Sequence, residues 1–427
     1  MRGIFSTYSG LSRPVYFLFA SRVINSAGSF IFPFLTLFLT QKLGFGEAAA
    51  GRFLLVITTV YVPGSLLGGK LADHAGRKNI MILFQLASAL LLVPCAFLGS
   101  SPLVPWALML SSFFQGAVPP LNNAMVTDLT PSERRKAAFS LLYLGHNLGF
   151  AVSSIAAGAL FDRYSAWIFL GDAATTLLSL VFLAVFVPET RPTAEALEES
   201  RRADHGPERA ERGTLAGVLL RRPFLLAFLG IQVIYSFVYA QAEFALPLHL
   251  VRQFAQRGAA RFGLLMSVNA LAVIFLTTPA LYLTSKMSPA RTVALAGLFY
   301  AAGFGMIGLA GSLPLLLLST LIWTLGEILS ATASGTYVAD RTPMSHRGRV
   351  NALSRILYGV GHAASPPIVG PFIERYGVRL VWPCTFGLAA LGSALLEWVH
   401  RREPALPDPS TGSPEPAAAA GRRQARP

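Results

Sequence analysis

Several ionisable side chains of this chain lie inside long apolar stretches, where a charge is costly to bury and is therefore a candidate for chemistry. Glu327 is nearly central in its apolar stretch, Glu243 lies toward one end of another, and His146 is close to the middle of a third. Carboxylates and imidazoles bind protons, and their proton affinity changes when a conformational change alters their hydration. We therefore predict that Glu327 carries a proton, with Glu243 and His146 as further candidates.

Each of these residues also has a simpler interpretation. Glu327 could instead be a buried glutamate that is hydrogen-bonded between helices. Glu243 could be a solvated residue of a vestibule, and His146 could be a histidine that only packs between helices. Arg22 is either an anion-binding residue or an anchor whose long side chain reaches the membrane interface.

Polar and aromatic residues of the same apolar stretches are the candidates for binding a substrate. The predicted cavity residues are Arg22, Asn25, Gln115, Asn122, Asn123, Tyr235, Tyr239 and Gln241. Tyr235, Phe237, Tyr239 and Phe244 are close enough in sequence to form an aromatic wall for an apolar compound. The alternative is that these rings only pack between helices.

The composition places these residues in a membrane. Hydrophobic residues make up 53% of the 427 residues, charged residues 13%, and the mean hydropathy is +0.54. Runs of about 20 apolar residues, long enough to cross roughly 30 Å of hydrocarbon as a helix, recur along the chain. We predict twelve: 15–39, 48–71, 80–98, 106–127, 138–160, 167–187, 224–248, 262–283, 293–310, 315–338, 350–372 and 380–399.

The two halves of the chain are variants of one another at an offset of 212 residues. Asp128-Leu129-Thr130-Pro131 with Arg135 matches Asp340-Arg341-Thr342-Pro343 with Arg347. Glycines keep the same offset: Gly51 with Gly263, Gly149 with Gly361, and Gly158 with Gly370. Six spans per half is an even number, so the halves are parallel. The repeated Asp-x-Thr-Pro motif is either a latch or a signal that ends one helix and begins the next.

The predicted fold is therefore an all-α membrane protein with twelve transmembrane helices in two parallel six-helix bundles. The bundles are residues 1–187 and 223–400, joined by a polar cytoplasmic linker at 188–222 and followed by a disordered cytoplasmic tail at 401–427. The first apolar run is too long for the apolar core of a signal peptide.

The net charge of +14 reflects orientation and not nucleic-acid binding. With a cytoplasmic amino terminus, 25 of the 35 Lys and Arg residues lie on the cytoplasmic side, as in most membrane proteins. We expect both termini in the cytoplasm, an inner (plasma) membrane location in a bacterial cell, and a monomer. Cys95 and Cys384 both lie in apolar runs, so no disulfide framework, metal site or cofactor is expected.

The turn after the second run carries the most specific motif, Gly69-Lys70-Leu71-Ala72-Asp73-His74-Ala75-Gly76-Arg77-Lys78. It resembles the signature of the major facilitator superfamily, with His74 as one departure. The resemblance extends over nearly the whole chain. It implies that helices one, four, seven and ten line a central cavity.

The same resemblance implies a cytoplasmic latch that favours the outward-open state. Asp73 would face the amino terminus of the eleventh helix, and Arg77 would pair with Asp128. The predicted latch residues are Gly69, Asp73, Gly76, Arg77, Lys78 and Asp128. The alternative is a solvated basic turn that only fixes topology.

Two motifs of the drug:proton antiporter branch are incomplete here: Gln115-Gly116 lacks the preceding arginine, and Gly145 and Gly149 lack the following proline. We expect a secondary transporter, not an enzyme, that exports small, largely apolar compounds by alternating access and uses the proton gradient. One alternative is proton-coupled uptake of a small polar or anionic solute on Arg22. Another is a receptor or polytopic enzyme without transport.

Overall fold

The computed structural model describes residues 8–131, 134–190, 215–342 and 347–403, and within these ranges every regular element is helical. The helices of the first half are α1 (Arg13–Ala27), α2 (Glu47–Ala75), α3 (Arg77–Leu98), α4 (Leu103–Gln115), α5 (Val118–Asp128), α6 (Arg135–Leu160) and α7 (Ser165–Phe186). A short helical stretch, Leu35–Leu37, and a π-helical turn, Phe38–Lys42, lie between α1 and α2.

The second half has a similar order of long helices. They are α8 (Leu215–Leu220), α9 (Pro223–Tyr239), α10 (Ala245–Phe254), α11 (Gly258–Thr284), α12 (Pro289–Ile307), α13 (Leu313–Arg341), α14 (Arg347–Tyr376) and α15 (Val381–Arg402). Short 3₁₀ turns occur at Ala240–Ala242, Ala255–Arg257 and Val378–Leu380.

Helix overlaps every predicted apolar run, because a continuous apolar sequence in lipid must satisfy its own backbone hydrogen bonds. Among the described residues, eight stretches have the length and composition needed to cross a membrane, and one of them, Pro223–Thr284, contains α9, α10 and α11. The helices α1, α4 and α5 have 15, 13 and 11 residues, so none alone spans a bilayer. The count of twelve crossings stays a prediction.

The prediction of one continuous helix over 15–39 is wrong, because the backbone is interrupted between α1 and Leu35. Gly28 ends α1, and Pro33 has no N–H to continue a helix. The Phe30 N–H donates to the Gly28 carbonyl at 2.7 Å, and the buried Asp172 side chain of α7 lies close to Phe30 and Ile31 in the interruption.

A similar interruption separates α9 from α10 in the predicted run 224–248. Pro247 lies in the first turn of α10 and cannot donate to the Glu243 carbonyl four residues earlier. The Thr36 hydroxyl donates to that carbonyl at 3.0 Å instead. A hydroxyl group of the first half thus forms a hydrogen bond with the interrupted α9–α10 segment of the second half.

The predicted run 106–127 is also divided, into α4 and α5. The division falls at Gly116, just before Pro119 and Pro120 in the first turn of α5. A Cβ on Gly116 would lie 2.1 Å from the Tyr61 carbonyl oxygen, so only glycine allows α4 to approach α2 this closely.

The two halves meet where α2 packs against α14 and α6 packs against α11. A Cβ on Gly51 would lie 2.2 Å from the Pro366 carbonyl oxygen. A Cβ on Gly263 would lie 2.1 Å from the Ser154 carbonyl oxygen. Adding the repeat offset of 212 to 51 and 154 gives 263 and 366, so the two contacts are copies of one another.

A second pair of contacts obeys the same offset. A Cβ on Gly370 would lie 2.4 Å from the Glu47 carbonyl oxygen, and a Cβ on Gly158 would lie 2.9 Å from the Ala259 carbonyl oxygen. Glycine therefore allows close helix contact at each repeat-related position.

Charged groups join the halves at the same end of the bundle. Arg252 after the interruption of the second half is paired with Glu47 at the start of α2. The Glu374 carboxylate accepts a hydrogen bond of 2.9 Å from the Ala48 N–H, one of the unpaired donors at the amino end of α2. We call this the closed end of the bundle.

Helix extends into two segments that were predicted as linker and tail. The predicted linker 188–222 contains a helix, α8, because Leu219 supplies an apolar residue that is buried in the core. The predicted tail begins at 401, but α15 continues through Arg402, where the Arg402 guanidinium lies 4.9 Å from the Trp398 ring centroid. The remainder of the linker, 191–214, and of the tail, 404–427, lies outside the described residues.

Candidate functional site

A cavity of about 290 Å³ lies between the two halves, next to the interruptions of both. We call it the central cavity. Its walls are mostly apolar, with rings of Phe32, Phe150 and Phe244 and the side chain of Met266. The polar residues that line it are Ser29, Thr36, Thr58, His146, Glu243 and His362.

Glu243 and His362 form the charged part of the central cavity. Glu243 follows the 3₁₀ turn that interrupts the α9–α10 run, and its side chain is 50% exposed. The His362 Nε2 of α14 lies 3.6 Å from the Glu243 Oε2. No local sequence pattern indicates this contact, since it joins helices more than one hundred residues apart in the chain.

His146 enters the same cavity from α6. Its Nδ1 lies 3.0 Å from the Ser26 Oγ of α1, so one ring nitrogen has a hydrogen-bond partner. The structure thus brings two of the three predicted proton-binding residues, Glu243 and His146, into one cavity.

Glu327 lies in a second cavity, of about 280 Å³, within the second half of the chain. We call it the tyrosine cavity, because Tyr235, Tyr239, Tyr300 and Tyr358 line it. The Asn269 side chain of α11 donates a hydrogen bond of 2.8 Å to the Glu327 Oε2. The same amide donates to the Thr324 hydroxyl at 2.9 Å, which fixes its orientation.

Glu327 therefore combines two properties. One carboxylate oxygen is held by an amide donor, and the tyrosine cavity leaves the side chain partly exposed. Asn269 was not among the residues selected from the sequence, although an asparagine in an apolar run is itself an unusual signal.

The other predicted cavity residues are distributed between cavities and helix contacts. Tyr235 and Tyr239 line the tyrosine cavity. The Asn25 amide donates to the Thr176 hydroxyl at 3.1 Å, so it packs between α1 and α7. The Gln241 amide donates to the Ser365 hydroxyl at 2.6 Å and is buried between α14 and the interrupted run.

Three further predicted residues lie on the α4–α5 run, and Arg22 lies on α1. Gln115 is half-buried at the end of α4, Asn122 is buried in α5, and Asn123 is exposed. Arg22 interacts electrostatically with Tyr61 and His146. In the part of the chain that the structure describes, no carboxylate forms an ion pair with it.

The predicted ion pair between Arg77 and Asp128 is present and joins the start of α3 to the end of α5. Gly76 connects α2 to α3 with φ of 97°, a conformation that favours glycine. The Lys78 ammonium donates to the Ala184 carbonyl at 2.6 Å. The backbone of Asp73 is helical, but its side chain lies outside the described residues. A Cβ on Gly69 would meet open space.

Glu189, which the sequence reasoning missed, caps this turn from the end of the first half. Its carboxylate accepts hydrogen bonds from the N–H groups of Arg77 at 2.7 Å, Lys78 at 3.3 Å and Asn79 at 3.4 Å. Partial burial alone would raise the pKa of this carboxyl, but these donors and the Thr190 N–H together lower it below its ordinary value. Glu189 thus supplies the side-chain cap that Gly76, the residue before α3, cannot provide.

The repeated Asp-x-Thr-Pro motif behaves differently in the two halves. The Arg135 guanidinium donates to the Thr130 carbonyl at 3.3 Å, which links the two helices on either side of the turn. In the second half, Arg341 forms an ion pair of 2.5 Å with Glu403 beyond α15. The side chain of Arg347 lies outside the described residues.

Within the described residues, a bundle of membrane-spanning helices whose two related halves meet at one end, with a few polar side chains in its interior cavities, has the architecture of a multi-pass membrane transporter. The chain belongs to the Major Facilitator Superfamily, whose family model matches residues 18–366, and its full-length relatives are transporters and not enzymes.

Full-length relatives support this assignment. The chain is 23% identical to a Na(+), Li(+), K(+)/H(+) antiporter of Planococcus maritimus over 88% of this chain and 93% of that protein. It is also 23% identical to the multidrug resistance protein MdtH of Photorhabdus laumondii, over 91% of this chain and 94% of that one. A crystal structure of a peptide transporter, POT, matches with a TM-score of 0.73 and 17% identity, covering 92% of this chain and 95% of that chain.

Proposed function

We propose that the protein is a proton-driven exporter of small, largely apolar compounds that works by alternating access. The observation that carries the proposal is Glu327, a carboxylate in the middle of a membrane helix that is held by Asn269 and faces the tyrosine cavity. A carboxyl in this position changes its hydration when the cavity opens or closes, so its proton affinity differs between the two states. This difference links the proton gradient to the conformational change, and no bound cofactor is needed.

The walls of both cavities support an apolar substrate. Aromatic rings and Met266 surround the central cavity, and tyrosines surround Glu327. Apolar walls with a few polar groups are typical of binding sites for small organic molecules. The names of two relatives, an antiporter that exchanges cations for protons and a multidrug resistance protein, are consistent with proton-coupled export.

The proposed orientation places both termini in the cytoplasm of a bacterial cell, with the protein in the plasma membrane as a monomer. The closed end, with Glu47 and Arg252, then faces the outside. The latch around Asp73 and Arg77 belongs to the opposite end. We propose that it stabilises the outward-open state.

A second candidate function is uptake of a small polar or anionic solute. The observation that favours it is Arg22, a half-buried cation in α1 that no carboxylate of the described residues pairs with. Melting temperatures separate the two functions, because a ligand that binds the folded state raises the temperature of unfolding. Stabilisation by small anions that is lost in Arg22→Gln would favour uptake.

The direct test is transport in proteoliposomes with an imposed pH gradient and a panel of apolar compounds. Glu327→Gln keeps the shape and hydrogen-bonding groups of the side chain but cannot release a proton. We expect this variant to bind substrate and to lose gradient-driven accumulation. Glu397→Gln, which changes a carboxylate on α15 that pairs with Arg401, is the matched control and should transport normally. Accumulation by Glu327→Gln at the wild-type rate would refute the assignment.

A further inference from the structure

A third cavity lies at the closed end of the bundle and shares no lining residue with the central cavity or the tyrosine cavity. Its volume is about 300 Å³, at the lower end of the range for ligand pockets, ~300–1,000 Å³. The side chains that line it are His249, Arg252 and Gln253 of α10, Tyr376 at the end of α14, and Arg379 in the turn before α15. We call it the arginine cavity.

Two guanidinium groups give the arginine cavity a positive charge. Arg252 and Arg379 reach it from separate elements, and both interact electrostatically with His249. No carboxylate among the described residues lines the cavity, and Arg379 forms no ion pair with any of them. Guanidinium groups bind phosphate and carboxylate oxygens through parallel hydrogen bonds. The arginine cavity therefore suits an anion.

His249 adds a buried hydrogen-bond donor to this cavity. Its side chain is 4% exposed, and its Nδ1 accepts a hydrogen bond of 3.0 Å from the Trp382 indole N–H. Because an indole nitrogen can only donate, Nδ1 carries no proton and the ring proton lies on Nε2. The contact with Trp382 thus fixes His249 as an N–H donor through Nε2.

Gln253 adds a buried acceptor without a partner. The amide nitrogen of its side chain donates to the Ala310 carbonyl at 2.8 Å, which sets the orientation of the amide. The buried Gln253 Oε1 has no hydrogen-bond partner among the described residues. Gln253 follows His249 by one turn of α10, so the unpaired acceptor lies beside the ring donor. A ligand that satisfies both groups must accept hydrogen bonds and also donate one.

We propose that the arginine cavity binds a phosphate group that carries or adjoins a hydroxyl group. The phosphate oxygens accept hydrogen bonds from Arg252, Arg379 and His249, and the hydroxyl donates to Gln253 Oε1. Inorganic phosphate keeps an O–H at about pH 7, and the phosphatidylglycerol head group has hydroxyls on its glycerol, so both sources share this chemistry. Sulfate has comparable charge but no O–H, and it leaves Gln253 unpaired. The proposal requires neither Glu327 nor a particular direction of transport.

The site is coupled to the contact between the two halves, because Arg252 also pairs with Glu47 at the start of α2. A bound phosphate shares the Arg252 guanidinium with the Glu47 carboxylate, and the two negative groups repel one another. Phosphate binding therefore weakens the attraction between the halves at the closed end. Sequence spacing does not reveal this site, because α10 and the turn before α15 are more than one hundred residues apart.

Thermal unfolding of the purified full-length protein in phosphatidylcholine nanodiscs tests the site. Sodium phosphate and sodium sulfate are titrated at about pH 7 and constant ionic strength against sodium chloride. We expect phosphate to raise the melting temperature more than sulfate, because a ligand of the folded state stabilises it. A second set of nanodiscs contains phosphatidylglycerol and receives no free phosphate.

Two arginine variants separate the site from general charge attraction. Arg379→Gln should lower the apparent phosphate affinity about tenfold or more, because it removes charged hydrogen bonds to the ligand. Arg257→Gln removes the same charge from the same end of the bundle but outside the cavity, and it should bind phosphate as the wild type does. Both arginines are exposed, so neither substitution disturbs the core.

Two further variants test the acceptor and the link to the first half. Gln253→Leu should lose the preference for phosphate over sulfate. If Gln253→Leu does not fold, the comparison of phosphate with sulfate in the wild type carries this test. Glu47→Gln should bind phosphate more tightly than the wild type, because Arg252 no longer has a competing carboxylate. An unchanged affinity in Glu47→Gln would contradict the role of Arg252 in the site.

The outcomes distinguish the two sources of phosphate. Stabilisation by free phosphate in phosphatidylcholine discs assigns the free anion. Stabilisation by phosphatidylglycerol that is lost in Arg379→Gln and kept in Arg257→Gln, with none by free phosphate, assigns the lipid head group. Stabilisation by sulfate as large as that by phosphate, equal losses in the two arginine variants, or no stabilisation by either source would overturn the proposal.

Discussion

Gly263 of α11 lies directly against Gly158 of α6, so that a Cβ on Gly263 would be 3.1 Å from the Gly158 Cα and 2.1 Å from the Ser154 carbonyl oxygen. No side chain fits between the two helices at this point. Close contact at the closed end therefore requires glycine here, and we expect this contact to separate when the closed end opens.

Gly263→Ala should destabilise the closed end. The new methyl group would meet backbone atoms that cannot rotate away, and overpacking of this kind costs about 1–3 kcal/mol. We expect a lower melting temperature and slower transport, with greater labelling of a cysteine placed at Ala48. Gly359→Ala in α14 is the control, because its Cβ would meet no atom within 4 Å. Equal behaviour of the two variants would contradict a role for the glycine contact.

The pair Arg77 and Asp128 should behave as a unit in a charge-exchange experiment. Arg77→Asp and Asp128→Arg each place like charges together at the junction of α3 and α5, whereas the double variant restores attraction. We expect each single variant to lose most transport, and the double variant to recover a substantial part. Expression and melting temperature are measured in parallel. A double variant no better than either single one would show that the ion pair is not what these residues contribute.

The Glu189 carboxylate should make the stability of the turn between α2 and α3 depend on pH. Its pKa in the folded protein lies below the ordinary value of 4.5, so its stabilising effect is complete above about pH 4.5 and is lost as the pH falls through the lowered value. Glu189→Gln should therefore melt at a lower temperature than the wild type at pH 7. The difference should shrink as the pH falls below about 4.5. A difference that stays constant down to pH 3 would contradict the role of the charge.

A cysteine-labelling experiment tests the topology. It uses a variant in which Cys95 and Cys384, the free cysteines of the chain, have been replaced. Arg209→Cys and Arg422→Cys should react with an impermeant reagent only after the cell is opened, because the distribution of positive charge predicts a cytoplasmic location for both. Gln256→Cys, exposed in the turn after α10, should react in intact cells. Reaction of 209 and 422 from opposite faces would refute the twelve-span prediction.

The sequence predicted most helix positions correctly, because apolar runs in a membrane protein have few alternatives to helix. Interruptions were missed, since hydropathy records how apolar a residue is and not whether its N–H is available. Pro33, Pro247 and the pair Pro119 and Pro120 lie at or next to the three interruptions. Proline alone does not locate them, because Pro63, Pro94 and Pro279 lie inside helices that continue past them.

The candidate site was predicted only in part, for a different physical reason. A lone carboxylate in an apolar run, such as Glu327, stands out in any sequence. Its partner Asn269 and the contact between Glu243 and His362 depend on which helices become neighbours. The Glu189 cap likewise depends on the path of the chain after α7. Such contacts follow from tertiary packing and leave no local pattern.

The repeated glycine contacts have an evolutionary consequence. Because each of these glycine contacts occurs twice with the halves exchanged, this part of the interface has the isologous form of a two-fold symmetric dimer. A half-length chain with one copy of these glycines has both complementary surfaces, so two copies of it fit together as the two halves do. Fusion of two such chains needs only a connecting segment, and a residue such as Glu327 can then differ between the halves.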